Sequence, residues 1–430
     1  MELFAEGPLG ELDPATLKQL LERSPKDASD VSTTVRQVIA DVRDRGDAAL
    51  VAMASRFDGV ELARIEVPRD RWDAAARALP AEVRQSLSRA AGNIHSFHAA
   101  QIPRDVVLDI EPGVRITRAT TPLETVGVYA PGGTATYSSS VLMGVVPAKA
   151  ADVAEVVVCS PPGPDGAPLA EVLAACAIAG ADRLFAVGGA GAIGALAFGT
   201  GTIPAVDAIV GPGNRWVNEA KRQVAGRVRI DCPAGPSEVL VLADDSANAT
   251  WAAHELLAQA EHDPDAACVL VTTSQRIARE SREALGRLLA ETPRAGVART
   301  ALASAGAILL AKSDTEAFDF AQRYAPEHLS IMTALGSADA RRVRTAGTTF
   351  VGGYASVAFG DYLTGANHVL PTSGRSRTFS GLSVQHFLRS YTIQEVTREG
   401  AAAMADDVAA LAMAERLPAH AAAALARSLP

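Results

Sequence analysis

Two α/β domains, each built from helices laid on a parallel-type sheet, are predicted by three features of this sequence. Short β-branched runs alternate with Ala-rich helical stretches, the turns between them carry Gly or Pro, and the alternation occurs in two separate series. A chain of 430 residues is also too long for one ordinary core. Hydrophobic residues make up 48% and charged residues 21%, the balance of a chain that buries a large core.

Taken in order, the first hundred or so residues read as helices. LKQLLERS, VSTTVRQVIADVRDRGDAALVAMASRF and RWDAAARALPAEVRQSLSRAAGNIHSFHAAQ all carry apolar residues at helical spacing. A β-like stretch, VRITRATTPLETVGVYAPGG, then changes the character of the chain. The first alternating series follows: strand TVGVYA, helix SSSVLMGVVPAKAA, strand EVVVCSPP, helix LAEVLAACAIAGA, strand RLFAVGG, another helix, and strand AVDAIVG. The second begins near residue 238 with EVLVLAD, the helix WAAHELLAQAEH, ACVLVTTS, the helix QRIARESREALGRLLAE and GAILLAKS. It continues through DTEAFDFAQRYAP, HLSIM, a helix SADARRVRTA, and TTFVGG. From about Ser383 the chain becomes Ala-rich and is expected to form a predominantly helical tail. Such a tail is too small to be stable alone and must dock, for instance onto another subunit.

A formal net charge of −9 gives no electrostatic reason to seek nucleic acid. The N-terminus MELFAEGPLGELDP lacks the basic start and apolar stretch of a signal peptide, and no apolar run approaches a membrane span, so the expected location is cytoplasmic. Cys159, Cys176, Cys232 and Cys268 are scattered with no CxxC pair, and are expected to be small buried hydrophobes.

Several motifs carry chemistry. YAPEHLS sets Glu327 directly beside His328. Neighbours point to opposite faces of a strand and diverge by about 100° on a helix, so both enter one cleft only from an irregular segment. Pro326 supplies the irregularity by ending the preceding helix. The pair also fits a strand start with one inward and one solvated side chain. In LLAQAEHDP, Gln259 and His262 lie at i,i+3 where Asp263-Pro264 stops the helix, so an amide oxygen and an imidazole nitrogen can reach one metal, or form an ordinary helix end. His254, two turns earlier, packs or meets solvent.

FGDYLTGANHVLPT places Asp361 and His368 in a segment too broken for regular structure, as ligands or as a cap and a loop histidine. In AERLPAH, Glu415 and His420 would sit about 140° apart on a straight helix, but Pro418 can break it and let both face one direction. Gly189, Gly191 and Gly194 match GxGxxG between a strand and a helix, yet the acidic residue expected some twenty positions on is missing, and close strand–helix packing explains the glycines as well. His95 and His98 have i,i+3 spacing but no neighbouring Cys, Asp or Glu, which favours a structural role.

In combination these segments resemble the histidinol dehydrogenase family. The resemblance runs from roughly residue 30 to 425 in ordered blocks: VGVYAPGG, SSSVLM, IVGPGNRWVNEAKRQV, PAGPSEVLV, LLAQAEHDP, RYAPEHL, GDYLTGANHVLPT, GLSV and AERLPAH. It implies a zinc- and NAD-dependent enzyme that oxidises L-histidinol through L-histidinaldehyde to L-histidine with two NAD and one water. Matched residue by residue, it implies zinc ligands Gln259, His262 and Asp361 from one chain and His420 from its partner. His328 would remove the hydroxyl proton and Glu327 would activate water. Ser237, His368 and Glu415 match substrate-contacting positions, with Gln259, His262, His328, Asp361 and His420 also facing substrate. Tyr129 and Asn214 match NAD contacts; Gly191 stands where the family commonly has Gln, and glycine offers no side-chain hydrogen bond. Zinc held without thiolates is catalytic in type.

The resulting expectation is a homodimer of two Rossmann-like domains with parallel-type sheets, completed by helical N- and C-terminal arms. Residues 1–25 form the N-terminal arm, 26–128 with 239–382 the first domain, 129–238 the NAD-side domain, and 383–430 the C-terminal dimerisation segment. The nearest alternative is a related zinc- and NAD-dependent dehydrogenase of another small polyol or amino alcohol. A non-catalytic metal- or nucleotide-binding protein would be favoured only if Glu327 and His328 were replaced, and both are present.

Overall fold

The structure, a computed structural model, describes residues 1–23, 29–132 and 137–428. Gly133 of the VGVYAPGG block and the expected boundary between residues 25 and 26 lie outside the described residues. In chain order the strands are β1 (Ala5–Pro8), β2 (Val106–Glu111), β3 (Val114–Pro122), β4 (Thr125–Tyr129), β5 (Glu155–Ser160), β6 (Arg183–Ala186) and β7 (Ala208–Val210). They continue as β8 (Arg229–Ile230), β9 (Glu238–Ala243), β10 (Ala267–Thr272), β11 (Gly306–Leu310), β12 (His328–Met332), β13 (Thr348–Val351) and β14 (Leu388–Val396).

Two of the three sheets are parallel. The first has the order β1-β11-β10-β9-β12-β13 and the second β6-β5-β4-β7-β8. Both bury their central strands on two faces, which is why EVLVLA and ACVLVT are near-continuous apolar runs rather than alternating ones. Within β9, Val239 and Val241 join one apolar cluster and Leu240 and Leu242 the opposite one, as the twofold strand period requires. The third sheet, β14-β3-β2, is antiparallel, and β3 leads almost directly into β4. The four cysteines are buried and unpaired with one another, as expected.

The structure departs from the expected layout in five places. The helical reading of the first hundred residues misses β1, an edge strand of the first sheet, so the N-terminal segment is built into that sheet through β11. Four residues, AEGP, give no period to read. Residues 29–99 were expected with the first sheet, but their helices pack around the second. Val35, Ile39 and Val42 of helix Ser29–Arg45 share a cluster with Tyr129, Val157 and Phe185, while Trp72 and Ile94 join Val126, Val128 and Val158. β2 was also passed over, because VVLDIE is exposed along its whole length and lacks a buried face. The expected helix SADARRVRTA is a single 3-10 turn, Gly336–Ala338, followed by turns. There Asp339 accepts from Thr333 Oγ1 at 2.6 Å and from Arg342 Nη1 at 2.9 Å, a local network that competes with helix continuation. The tail opens with the nine-residue β14 before helices Arg398–Ala414 and Pro418–Leu425.

At the end of β7, Gly211 has φ of 115°, and a Cβ there would collide with the Tyr129 carbonyl. Its amide donates to Asp231 Oδ2 at 2.8 Å and its carbonyl accepts from Lys221 Nζ at 2.9 Å, and Lys221 and Asp231 form a buried ion pair. Gly211→Ala is therefore expected to cost about 3 kcal/mol or more, combining a left-handed φ with a backbone clash. A urea unfolding midpoint unchanged from the parent would contradict this.

Candidate active site

Helix Asp314–Tyr324 ends in Ala325, which is left-handed with φ of 51°, and Pro326 prevents its continuation. The chain enters β12 at His328, so Glu327 lies on the irregular link and His328 on the first strand residue. Both side chains are buried and turn toward each other, with Glu327 Oε2 3.4 Å from His328 Nδ1. The reading of Pro326 as the source of irregularity holds, and the solvated-strand alternative does not.

The parallel register of β12 beside β9 brings in Glu238. Its amide donates to Glu327 Oε2 at 2.8 Å, and its carbonyl oxygen lies 3.1 Å from His328 Nδ1. A carbonyl can only accept, so Nδ1 must carry a proton. His328 Nε2 is then the nitrogen free to take one. It is buried without a hydrogen-bond partner, 3.7 Å from Asp361 Oδ1. Burial pushes this imidazole down, but Glu327, then Asp361, outweigh it and lift the pKa from 6.5 to about 9.

Asp361 sits on the short helix Val357–Tyr362, whose first amide, Val357 N–H, donates to Glu255 Oε2 at 3.0 Å. Glu255 is buried on helix Ala249–Ala260, one turn before Gln259 on the same face, and burial raises its carboxyl. Gln259 is buried, whereas His262 is exposed just beyond the helix end, its amide donating to the Gln259 carbonyl. Tyr362 feels the charges of both Asp361 and Glu261, so the two helix ends converge. His368 Nδ1 lies 2.9 Å from the Asp361 carbonyl, and burial lowers its pKa. Ser237 immediately precedes Glu238 at the same sheet edge, its carbonyl accepting from Ala267 N–H.

The other expected residues stand apart. Glu415 and His420 are exposed on the tail, flanking a break at left-handed Arg416 and Pro418. Among the described residues the Glu415 and His420 side chains make no hydrogen bond or ion pair, and no group of three or more His, Cys, Asp and Glu is arranged to hold a metal. Tyr129 is buried at the end of β4, its hydroxyl accepting from Gly189 N–H at 3.1 Å and its pKa pushed up to about 12 by burial. Asn214 caps helix Arg215–Val224, accepting from Trp216 and Val217 amides. Gly191 is buried inside helix Gly189–Phe198, and a Cβ there would lie 2.9 Å from Met53 Sδ. Gly194 likewise faces Ile39 and Val42. These two GxGxxG glycines thus serve helix–helix packing.

These residues line up two sheet edges. Tyr129, Gly189 and Gly211 lie at the carboxyl ends of strands in the second sheet, the usual ligand edge of such folds. Glu238 and His328 lie at the amino ends of strands in the first. Cys232, between β8 and β9, is close enough to sense Asp231, Lys221, Glu327 and Arg375, so the edges face one another across it. Glu238 and Glu255 escaped the sequence reading. The signal for each was an acidic residue inside a run otherwise fit for a core, in SEVLVLA and HELLAQA.

A buried imidazole with one nitrogen committed and the other free, flanked by carboxylates between two α/β sheets, is the acid–base apparatus of an enzyme. Its lineage is plain. The family model described as histidinol dehydrogenase matches residues 21–428, and the chain belongs to that family. It is similar to the histidinol dehydrogenases of Methanosarcina mazei, 45% identical with 96% of this chain and 95% of that one covered, and of Halobacterium salinarum, 48% identical with 92% and 93% covered. The solved histidinol dehydrogenase of Elizabethkingia anophelis superposes with a TM-score of 0.94 at 35% identity, covering 99% of this chain and 98% of that one.

Glu327→Gln removes the larger of the two charges that raise His328, so its pKa should fall by about one unit or more. The sign follows from the imidazolium being the form a carboxylate favours. In the parent, this coupling contributes stability fully present below pH 6.5 and lost as pH rises through about 9. NMR titration of the His328 ring in metal-free protein reads the shift directly, and an unchanged value would contradict it.

Proposed function

We propose that this chain oxidises L-histidinol to L-histidine by way of L-histidinaldehyde, in two hydride transfers to NAD, completing histidine biosynthesis. The observation that carries the reading is the buried Glu327–His328 pair, with the Nδ1 proton fixed, in a chain of this family. In the first half-reaction His328, in its neutral form, takes the hydroxyl proton at Nε2 as the carbinol carbon gives up hydride. In the second, Glu327 takes a proton from water as its oxygen bonds the aldehyde carbon, and the hydrate loses the second hydride. Glu327 Oε2 is held by the Glu238 amide, while Oε1 has no protein partner among the described residues and is free for that proton. Over both steps one alcohol and one water give one carboxylate, two hydrides pass to two NAD, and three protons leave to solvent.

Zinc suits the donor set assigned to it. Gln259, His262 and Asp361 supply oxygen and nitrogen from one chain, with no thiolate among them. When bound, zinc would orient the substrate through its imidazole and amine, and NAD would accept the hydrides. Glu255 supports the helix carrying Asp361, and the Glu327 and Asp361 carboxylates favour a cationic neighbour. Ser237, His368 and Glu415 contact substrate in this reading, while Tyr129, Asn214 and the backbone at Gly191 lie on the NAD side.

The assembly is a homodimer with two Rossmann-like domains in each chain, His420 and Glu415 reaching the site of the other copy. The tail leaves Leu411 70% and Met413 57% exposed, and β2 exposes Val106, Val107, Leu108 and Ile110, apolar surface that a second copy would cover. No helix is long and apolar enough to cross a membrane among the described residues, and the expected location is cytoplasmic.

The decisive assay counts NADH formed per L-histidinol consumed, with and without chelator, and quantifies histidine. Two NADH per histidine, lost on chelation and restored by zinc, is expected. A folded, zinc-bound protein that leaves histidinol untouched but oxidises another amino alcohol would overturn the substrate. His420→Ala and Asp361→Ala should each lose zinc and turnover together. Mixed Glu327→Ala and His420→Ala subunits should regain activity in heterodimers, and confirmed heterodimers with no recovery would place each site within one chain.

A further inference from the structure

We infer that Arg23 and Glu238 form a buried ion pair that acts as a positioning pair for Glu327 and His328, fixing the orientation of both from beneath the first sheet. Arg23 follows helix Pro14–Glu22 in a left-handed conformation, φ 41°, that turns its side chain inward. Its Nε lies 2.5 Å from Glu238 Oε2, and Nη2 donates to Glu238 Oε1 at 3.3 Å and to the Tyr324 carbonyl at 2.8 Å. The guanidinium lies over the Tyr324 ring, 3.6 Å from its centroid. The side chains are 8% and 2% exposed, and Glu238 Oε1 also accepts from Ser373 N–H at 2.8 Å.

What Glu238 does with its main chain makes this more than a stabilising contact. It is the first residue of β9, preceded by irregular chain, and its amide and carbonyl are the groups that hold Glu327 Oε2 and His328 Nδ1. Burial pushes its carboxyl up and Arg23 draws it back. Without Arg23, a buried unpaired carboxylate must take a proton or swing toward water, and either relaxes the peptide that sets the Nδ1–H tautomer. Tyr324, the last residue of the helix that leads into Glu327, is pinned by the same guanidinium. Arg23 thus grips both chain segments whose junction forms the acid–base pair.

The test uses Arg23→Met/Glu238→Gln in the full-length, zinc-loaded protein, since removing both charges avoids leaving one buried alone. Arg23→Lys serves as the conservative variant. The inference rests on the proposed activity, so the parent is assayed alongside, and a crystal structure of the double variant supplies a readout independent of substrate. Expected results are a kcat lowered about 10- to 100-fold with KM for histidinol and zinc content near parental, partial recovery in Arg23→Lys, and Glu327 displaced from the Glu238 amide. A double variant with parental kcat, or one whose Glu327 and His328 occupy parental positions, overturns the inference. An equal loss of zinc content and thermal stability would also overturn it, by assigning the pair a purely structural role. A parent inactive on histidinol refutes the proposed activity instead, leaving the crystallographic comparison to decide the positioning role.

Discussion

The contact between His328 Nδ1 and the Glu238 carbonyl is the constraint from which the rest of the site follows. It decides which imidazole nitrogen is basic, and it can form only because β9 and β12 are parallel neighbours in one register. That register needs two fully buried, largely apolar central strands, packed on both faces. A slip of one residue would turn His328 to the other face and take the acid–base pair with it. The large apolar investment in EVLVLA and HLSIM therefore has a chemical product: one proton held at one atom.

The two parallel sheets contribute opposite ends of their strands. The second offers carboxyl ends, where chain turns into helices and amides such as that of Gly189 become available. The first offers amino ends, which carry no such rule of thumb; there the chemistry rests on acidic and imidazole side chains held by the Glu238 amide and carbonyl. This division explains why acidic and imidazole groups gather on one side and glycines on the other. It also explains the helices of residues 29–99: the second sheet needs cover on two faces, and residues preceding β4 supply much of it.

Much of the fold was legible because buried parallel strands and Ala-rich helices announce themselves by composition. EVVVCS, ACVLVT and GAILL each became the strand expected. Elements without a buried face were not legible: β2 and β14 are almost wholly exposed, and β1 is too short for a period. At the site, Glu327, His328, Asp361 and His368 lie together, a meeting of two segments that the separate motifs did not disclose and only the family resemblance implied. Glu238 was missed because it acts through its own amide and carbonyl, and Glu255 because its carboxylate accepts from the Val357 amide; a main-chain contact leaves no pair of residue types to read. Gly191 shows the converse, since a motif that looks made for phosphate meets Met53 and Leu50.

β1 also has a consequence for the order in which the molecule assembles. Ala5 pairs with Ala307, and Arg23 waits for Glu238, so these residues, made long before their partners, are among the last to find their places. Strands β4 to β8 of the second sheet, by contrast, are all synthesised by Ile230 and can collapse onto helices already present. During translation the β1 segment is thus an unpaired strand held in reserve, and the basic nitrogen acquires its orientation only once β9 and β12 have paired.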